Sequence, residues 1–525
     1  MTEQLQPSET VATGAKLTVE EDAAGVAAGR RLMNLFLATG LALVFVLMLV
    51  GLLMRLSQAE WLPLDPAWFY SLMTLHGAGM IAALVLCGMG GVWYLVRREA
   101  HMDVRLGYAA YGLLLGGVLL VLAATVVGKF AAGWTTLYPL PFVNPTWPFW
   151  STGAFFIGLM LITAGFSVWS FQVLEAVMRA FGGLRGALGF DLVFNAKAFK
   201  ASGRQPPPAQ ILPAAVIAID GLIMATASML LGAAMLVRWL DPSVGIDPLW
   251  AKNLGYFFGH LLANYIIYML LAFVYVGLPR FTNRKWKTNA PFVIGWWGTM
   301  VFLLTAYAHH LYLDFAQPVA MQVLGHVASY LSAIPVAVVT VYGAILLVWR
   351  SGMRWTLGSL FMYVGLAGWI LGGVGALLDA TVQFNTLLHN TLWVPGHFHS
   401  YLLGGSLYFA LGWVFQSLEE RTTATTSRSV KWLVGVTVFG GTALFVAAFY
   451  VAGAAGVPRR FALAQDPSAS LAGVGSVGAV VLIAGLVLCL VEGLRLWRSG
   501  RTAPVRAAVA PLLAGVTNVG EVQGD

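Results

Sequence analysis

Nine histidines stand in a chain that is otherwise poor in polar side chains: His76, His101, His260, His309, His310, His326, His389, His397 and His399. Imidazole nitrogen ligates copper, iron and haem iron alike, so these are the residues to follow for metal or redox chemistry. The two cysteines, Cys87 and Cys489, lie far apart in apolar runs. They form no CxxC pair, no CxxCH haem-attachment motif and no thiolate cluster. On a helix advancing ~100° per residue, His397 and His399 point about 200° apart and cannot readily share one metal. They can each ligate one of two cofactors on opposite sides of that helix. His309 and His310 lie about 100° apart, so they converge on one metal only at a helix end or with a third ligand from elsewhere. The stereochemistry suggests two haems flanking one helix, beside a tri-histidine metal.

The elements that must position these side chains are membrane helices. Of 525 residues, 59% are hydrophobic and 10% charged, and the mean hydropathy is +0.79. Twelve apolar segments are long enough to cross a bilayer, near 32–54, 69–95, 107–127, 149–178, 211–237, 254–278, 290–313, 322–349, 358–378, 388–417, 432–454 and 472–497. The expected fold is an all-α integral membrane protein, a twelve-transmembrane-helix bundle over 29–500. A disordered cytoplasmic tail is expected at 1–28, polar and without a cleavable signal peptide, and a cytoplasmic C-terminal tail at 501–525. The longest connection, 179–210, carries Gly182-Gly183 and Pro206-Pro207-Pro208 and reads as an irregular loop.

A formal charge of +8 raises the question of nucleic acid. Nearly all the basic residues lie in short loops between apolar spans, which reads as membrane topology, so the expected environment is membrane lipid and no nucleic acid. Of 30 Lys and Arg, 24 fall in the two tails and the even-numbered loops and 6 in the odd-numbered loops. The positive-inside rule puts both termini in the cytoplasm of a bacterial- or archaeal-type plasma membrane. With that orientation His76, His260, His309, His310, His397 and His399 share one slab in the outer part of the membrane, on four spans. A polar side chain at that depth is costly and marks function by default. A lone intramembrane histidine can equally be a hydrogen-bonded packing residue; six at one level are hard to explain that way. His101 falls in a loop and reads as solvated, and His326 as a packing residue.

At these residues the sequence resembles subunit I of the haem–copper oxidase superfamily, over essentially all twelve spans. The matching segments are Thr74-Leu75-His76-Gly77, Gly133-Trp134-Thr135-Thr136-Leu137-Tyr138-Pro139, Gly259-His260, His309-His310 and the run from His389 through Trp393, Pro395 and His397 to His399. That run, with Val457-Pro458-Arg459-Arg460, is most like the B-type oxidases. The resemblance implies that His76 and His399 are axial ligands of a low-spin haem b. It implies that His397 is the proximal ligand of a high-spin haem, b- or a-type. His260, His309 and His310 would hold copper, with iron as the alternative. Arg459 and Arg460 would neutralise haem propionates, a task suited to guanidinium. His389 would lie near those propionates, and Trp134 close to the binuclear centre. Electrons would pass from the low-spin haem to the high-spin haem and second metal. The chain carries no copper-A cysteine pair and no c-haem motif. The implied partner is a second subunit with a cupredoxin-like or c-haem electron-entry domain, fed by cytochrome c or a small copper protein.

Two departures bear on the substrate. Oxygen reductases of the A and B types carry a tyrosine four residues after the first metal-ligand histidine, tied covalently to a ligand histidine and used when the O–O bond breaks. Here that position is Asn264, and the usual proline after the histidine is Leu261. Tyr265 is one residue late, rotated about 100° away. In span 8 the polar positions that continue an inward proton channel are Val336 and Val339 after Pro335, although Tyr275 is retained and Thr340 stands one residue off. Reduction of nitric oxide to nitrous oxide requires no O–O cleavage, so the expected function is nitric oxide reduction. The alternatives are a terminal oxygen reductase of cytochrome c oxidase type, using Tyr265 or another tyrosine, and more remotely a histidine-lined transporter. The glutamates of cytochrome c-linked nitric oxide reductases have no match on spans 6 or 7. Asp314 past the histidine pair, Asp220 on span 5 and Glu175 on span 4 are the acids left to place.

Overall fold

The computed structural model describes residues 19–314, 316–463 and 468–502. The helices are α1 (Val19–Gln58), α2 (Pro66–Arg97), α3 (Val104–Leu122), α4 (Phe149–Ala180), α5 (Gly183–Ala187), α6 (Phe190–Phe194), α7 (Ala196–Ala201), α8 (Ile211–Leu240) and α9 (Pro248–Thr282). They continue with α10 (Ala290–Ala306), α11 (Val319–Val348), α12 (Leu357–Ala380), α13 (Val382–Leu388), α14 (Trp393–Tyr401), α15 (Tyr408–Glu419), α16 (Arg428–Val434), α17 (Gly441–Ala454) and α18 (Ser468–Thr502). Long apolar runs with no water to satisfy their backbone leave helices as the way to cross. Starts are set by sequence: Asp65, Asp103, Asp247 and Asn289 accept from backbone N–H groups of the first turn, and prolines open α2, α9 and α10.

Eleven helices among the described residues are long and apolar enough to span a membrane. The expected tenth span, 388–417, is built in three consecutive pieces: α14 of 9 residues, a π turn at Leu402–Leu407 and α15 of 12 residues. Its two histidines and the widened turn interrupt the apolar run. The first helix starts earlier than expected, at Val19, so part of the segment read as a tail joins α1. Most of that tail, and nearly all of 501–525, lies outside the described residues. The connection at 179–210 is also more ordered than expected. Gly182 and Gly189, with φ of 77° and 70°, break it into α5–α7. Asp191 clamps it by pairing with Arg185 and Arg204.

The helices approach closely where side chains are smallest. A Cβ on Gly117 of α3 would lie 2.4 Å from the carbonyl oxygen of Gly158 on α4. At the α17–α18 crossing a Cβ on Gly441 would lie 2.9 Å from the carbonyl oxygen of Gly478. Contacts of this kind replace a hydrophobic driving force inside lipid. One isolated bridge, Thr391 with Pro458, fixes the α17–α18 connection over the start of α14. Arg459 N–H donates to the Asn390 carbonyl at 2.9 Å, and Leu392 N–H to that of Val457 at 2.9 Å.

Candidate metal centre

α2 and α14 each present one imidazole to the other. His76 and His399 face across a gap with ring centroids 6.2 Å apart and planes 22° from parallel. Each ring is fixed through Nδ1, by the Leu47 carbonyl at 2.8 Å and the Pro395 carbonyl at 2.7 Å. Nδ1 is then the protonated nitrogen, and Nε2 is left as a ligand atom. Two imidazoles bound through nitrogen at about 2.0–2.1 Å on opposite sides of one metal have centroids about 6 Å apart. The observed separation fits that arrangement.

The second cluster forms where α10 ends. Its last turn tightens into a 3₁₀ turn at Tyr307–Leu311, and this lets the adjacent His309 and His310 converge. With His260 from α9 they bring three ligand atoms within 4.8 Å of one another. The ring centroids are 4.8 Å apart for His260 and His309, 5.3 Å for His260 and His310 and 4.2 Å for His309 and His310. Ser329 lies 3.0 Å from His309 Nδ1. Asn264 Nδ2 donates to the His260 carbonyl at 2.9 Å and lies 3.3 Å from His260 Nε2.

All six histidines line one cavity of about 460 Å³, with walls mainly apolar. His260 Nδ1 and His397 Nδ1 are buried without a hydrogen-bond partner. Buried imidazole nitrogens in that state suit a metal or another missing partner. Donor set, spacing, orphaned nitrogens and a large apolar cleft together fit porphyrin and metal. A family model described as cytochrome c and quinol oxidase polypeptide I matches residues 31–487.

The chain belongs to that family.

Among curated relatives, the chain is 25% identical to cytochrome c oxidase subunit 1 of Synechocystis sp., over 81% of this chain and 75% of that protein. It is 25% identical to cytochrome c oxidase polypeptide 1 of Halobacterium salinarum, over 86% and 74%. The subunit 1 of Thermus thermophilus is also 25% identical, over 76% and 70%. A cryo-EM structure of a haem–copper terminal oxidase dimer has the same fold, with a TM-score of 0.69 at 20% identity, covering 91% of this chain and 84% of that one. The polypeptide I family is one of haem and copper proteins, and the tri-histidine group is a set able to hold a metal.

Within this polypeptide I frame the remaining expected residues fall as follows. Trp134 lines the cavity, packs against Gly77 beside His76, and meets Phe398 edge-on at 6.5 Å. His389 lies 6.1 Å from His310, ring to ring. Arg459 and Arg460 line the cavity, and burial pushes the Arg459 guanidinium down to about 10. Asn264 lines the cavity, whereas Tyr265 is fully buried on another face of α9 and donates to Asp220 Oδ2 at 2.6 Å. Of the other acids, Glu175 pairs with Arg179 and Asp314 with Lys252. His101 is exposed, and His326 stacks on Tyr330.

The span 8 polar face is better connected than its spacing indicates. Tyr275 and Thr340 share a hydrogen bond of 2.7 Å, although Thr340 is one residue out of step. Sequence reasoning missed Arg55, which is 4% exposed, lines the cavity and lies 4.5 Å over the Phe449 ring that stacks on His399. The signal was there: Arg55, like Arg459 and Arg460, is one of the few basic residues in the odd-numbered loops.

Proposed function

We propose that this chain is the catalytic subunit of a nitric oxide reductase, converting two nitric oxide molecules with two electrons and two protons to nitrous oxide and water. His76 and His399 hold a low-spin haem b, His397 a high-spin haem, and His260, His309 and His310 a copper, with iron as the alternative. When bound, these groups would relay electrons from the donor and offer metal sites for diatomic molecules. The observation that carries the reading is Asn264, which lies 3.3 Å from His260 Nε2 on the cavity wall. An amide there orients the imidazole and can hydrogen-bond a small ligand. It cannot give up an electron and a proton together, as O–O cleavage requires of a tyrosine.

The chain's own residues have separable tasks. Leu47 and Pro395 carbonyls set the tautomers of His76 and His399. Ser329 and Asn264 orient two of the three metal-site histidines. The Arg459–Arg460 pair holds propionates, and the mainly apolar wall excludes water. Both termini face the cytoplasm, the site lies toward the outer side, and electrons arrive through a second, cupredoxin-like or c-haem subunit.

A second reading, oxygen reduction, is favoured by the Tyr275–Thr340 bond, which preserves part of an inward polar route, and by the names of the relatives. Mixing the reduced, purified complex with nitric oxide tests the first reading. It predicts one nitrous oxide per two nitric oxide consumed over many turnovers; reductant oxidised without nitrous oxide would overturn it.

A further inference from the structure

Tyr256 takes no part in the scheme above, yet it stands in the cavity wall. It precedes His260 on α9 by one turn, as Asn264 follows by one turn, so the three share a helix face. Its ring stacks on His310, with centroids 5.1 Å apart and planes 16° from parallel. Arg459 and Arg460 line the same cavity. Arg459 Nε is buried without a hydrogen-bond partner, and its Nη2 reaches Asn390 Oδ1 only at 3.5 Å. Two guanidinium groups and a phenol in the wall of one mainly apolar cavity, with an N–H lacking an acceptor, call for an anionic acceptor.

We infer that Tyr256 donates a hydrogen bond to a propionate carboxylate of the porphyrin at His397, in concert with Arg459 and Arg460, while its ring braces His310. This rests on the haem reading of the site and not on the choice of substrate. The chemistry is carboxylate recognition by three donors. Tyr256 is the one neutral donor of the three, and it is the link between the carboxylate and a metal-site histidine. A phenol donor draws negative charge from the carboxylate. Without it the field at the iron becomes more negative, the oxidised iron is favoured, and the reduction potential falls.

The test uses the purified holo-complex in wild-type, Y256F and Y256W forms, with haem carrying ¹³C in its propionates. Spectroelectrochemistry reads both haem potentials, and redox-difference infrared spectra read the carboxylate bands. Y256F should lower the high-spin haem potential, leave the low-spin potential in place and shift a ¹³C-sensitive carboxylate band. Y256W, which keeps a ring and an N–H donor, should recover part of both changes. Unchanged potential and bands in Y256F would overturn the inference and leave Tyr256 as packing for His310. A shifted band insensitive to ¹³C would overturn it too, because the carboxylate would then belong to a protein side chain such as the buried Asp379 and not to the porphyrin. If Y256F loses its high-spin haem while Y256W retains it, the donor role stands. Wild-type complex lacking haem would remove the site reading itself, whereas intact haem without nitrous oxide production would touch only the choice of substrate.

Discussion

Tyr265 donates a 2.6 Å hydrogen bond to Asp220 and so turns away from the cavity that its neighbour Asn264 lines. One step along α9 separates the two roles. The late tyrosine is committed to a buried carboxyl on α8, whose other oxygen has no partner. Tyr265→Phe should therefore leave the turnover rate per haem close to wild type. It should destabilise the protein by about 1–3 kcal/mol, the usual cost of stranding a buried polar group, read as faster thermal loss of the haem spectrum. Loss of turnover at unchanged stability would instead make Tyr265 the missing redox donor and favour oxygen reduction.

Asn264→Leu removes the amide from His260 while keeping the branched shape of the side chain, and Leu is the better helix former of the two. Partners that orient metal ligands typically contribute 10–100-fold in metal affinity or activity. The variant should lose second metal relative to haem, measured by elemental analysis, and nitric oxide turnover by a factor in that range. The His76–His399 haem spectrum should not change. Full metal content with full activity would mean that Asn264 is only packing.

The two histidine clusters should fail separately. His399→Leu removes one side of the facing pair and should abolish the low-spin haem spectrum while metal remains at His260, His309 and His310. His309→Ala should do the reverse, losing the second metal with the low-spin spectrum intact. Each outcome is read from one optical spectrum and one metal analysis. Loss of both signals in either variant would contradict two separate sites.

Thr340→Val cuts the bond to Tyr275 without altering shape. If protons for the reaction come from the outer side, turnover in vesicles should stay within about twofold of wild type, a change worth only a few tenths of a kcal/mol. A fall of tenfold or more would show that the inward route is used, and would strengthen the oxygen-reductase reading.

Much of this architecture was legible in the sequence because membrane spans are long and their constraints simple. The split of His397 from His399 followed from helix rotation, and the convergence of His309 with His310 followed from a helix end, which Tyr307–Leu311 provides. Tyr265 pointed elsewhere for the same rotational reason. What escaped notice was either local or between helices. The π turn at Leu402–Leu407 has no side-chain signature of its own. Tyr275 and Thr340 meet because two helices approach at an angle that spacing along one helix cannot convey. Arg55 looked like a loop charge until α1 proved to run through Gln58, carrying the guanidinium into the cavity wall.

On the proposed reading, Asn264 marks a centre that joins nitrogen to nitrogen and does not split dioxygen. The most direct measurement follows nitrous oxide formation and oxygen consumption on one purified sample, with the same artificial reductant. A nitric oxide reductase should show sustained nitrous oxide production with negligible oxygen uptake. Fast oxygen consumption, with nitric oxide acting as a slow substrate or an inhibitor, would contradict it.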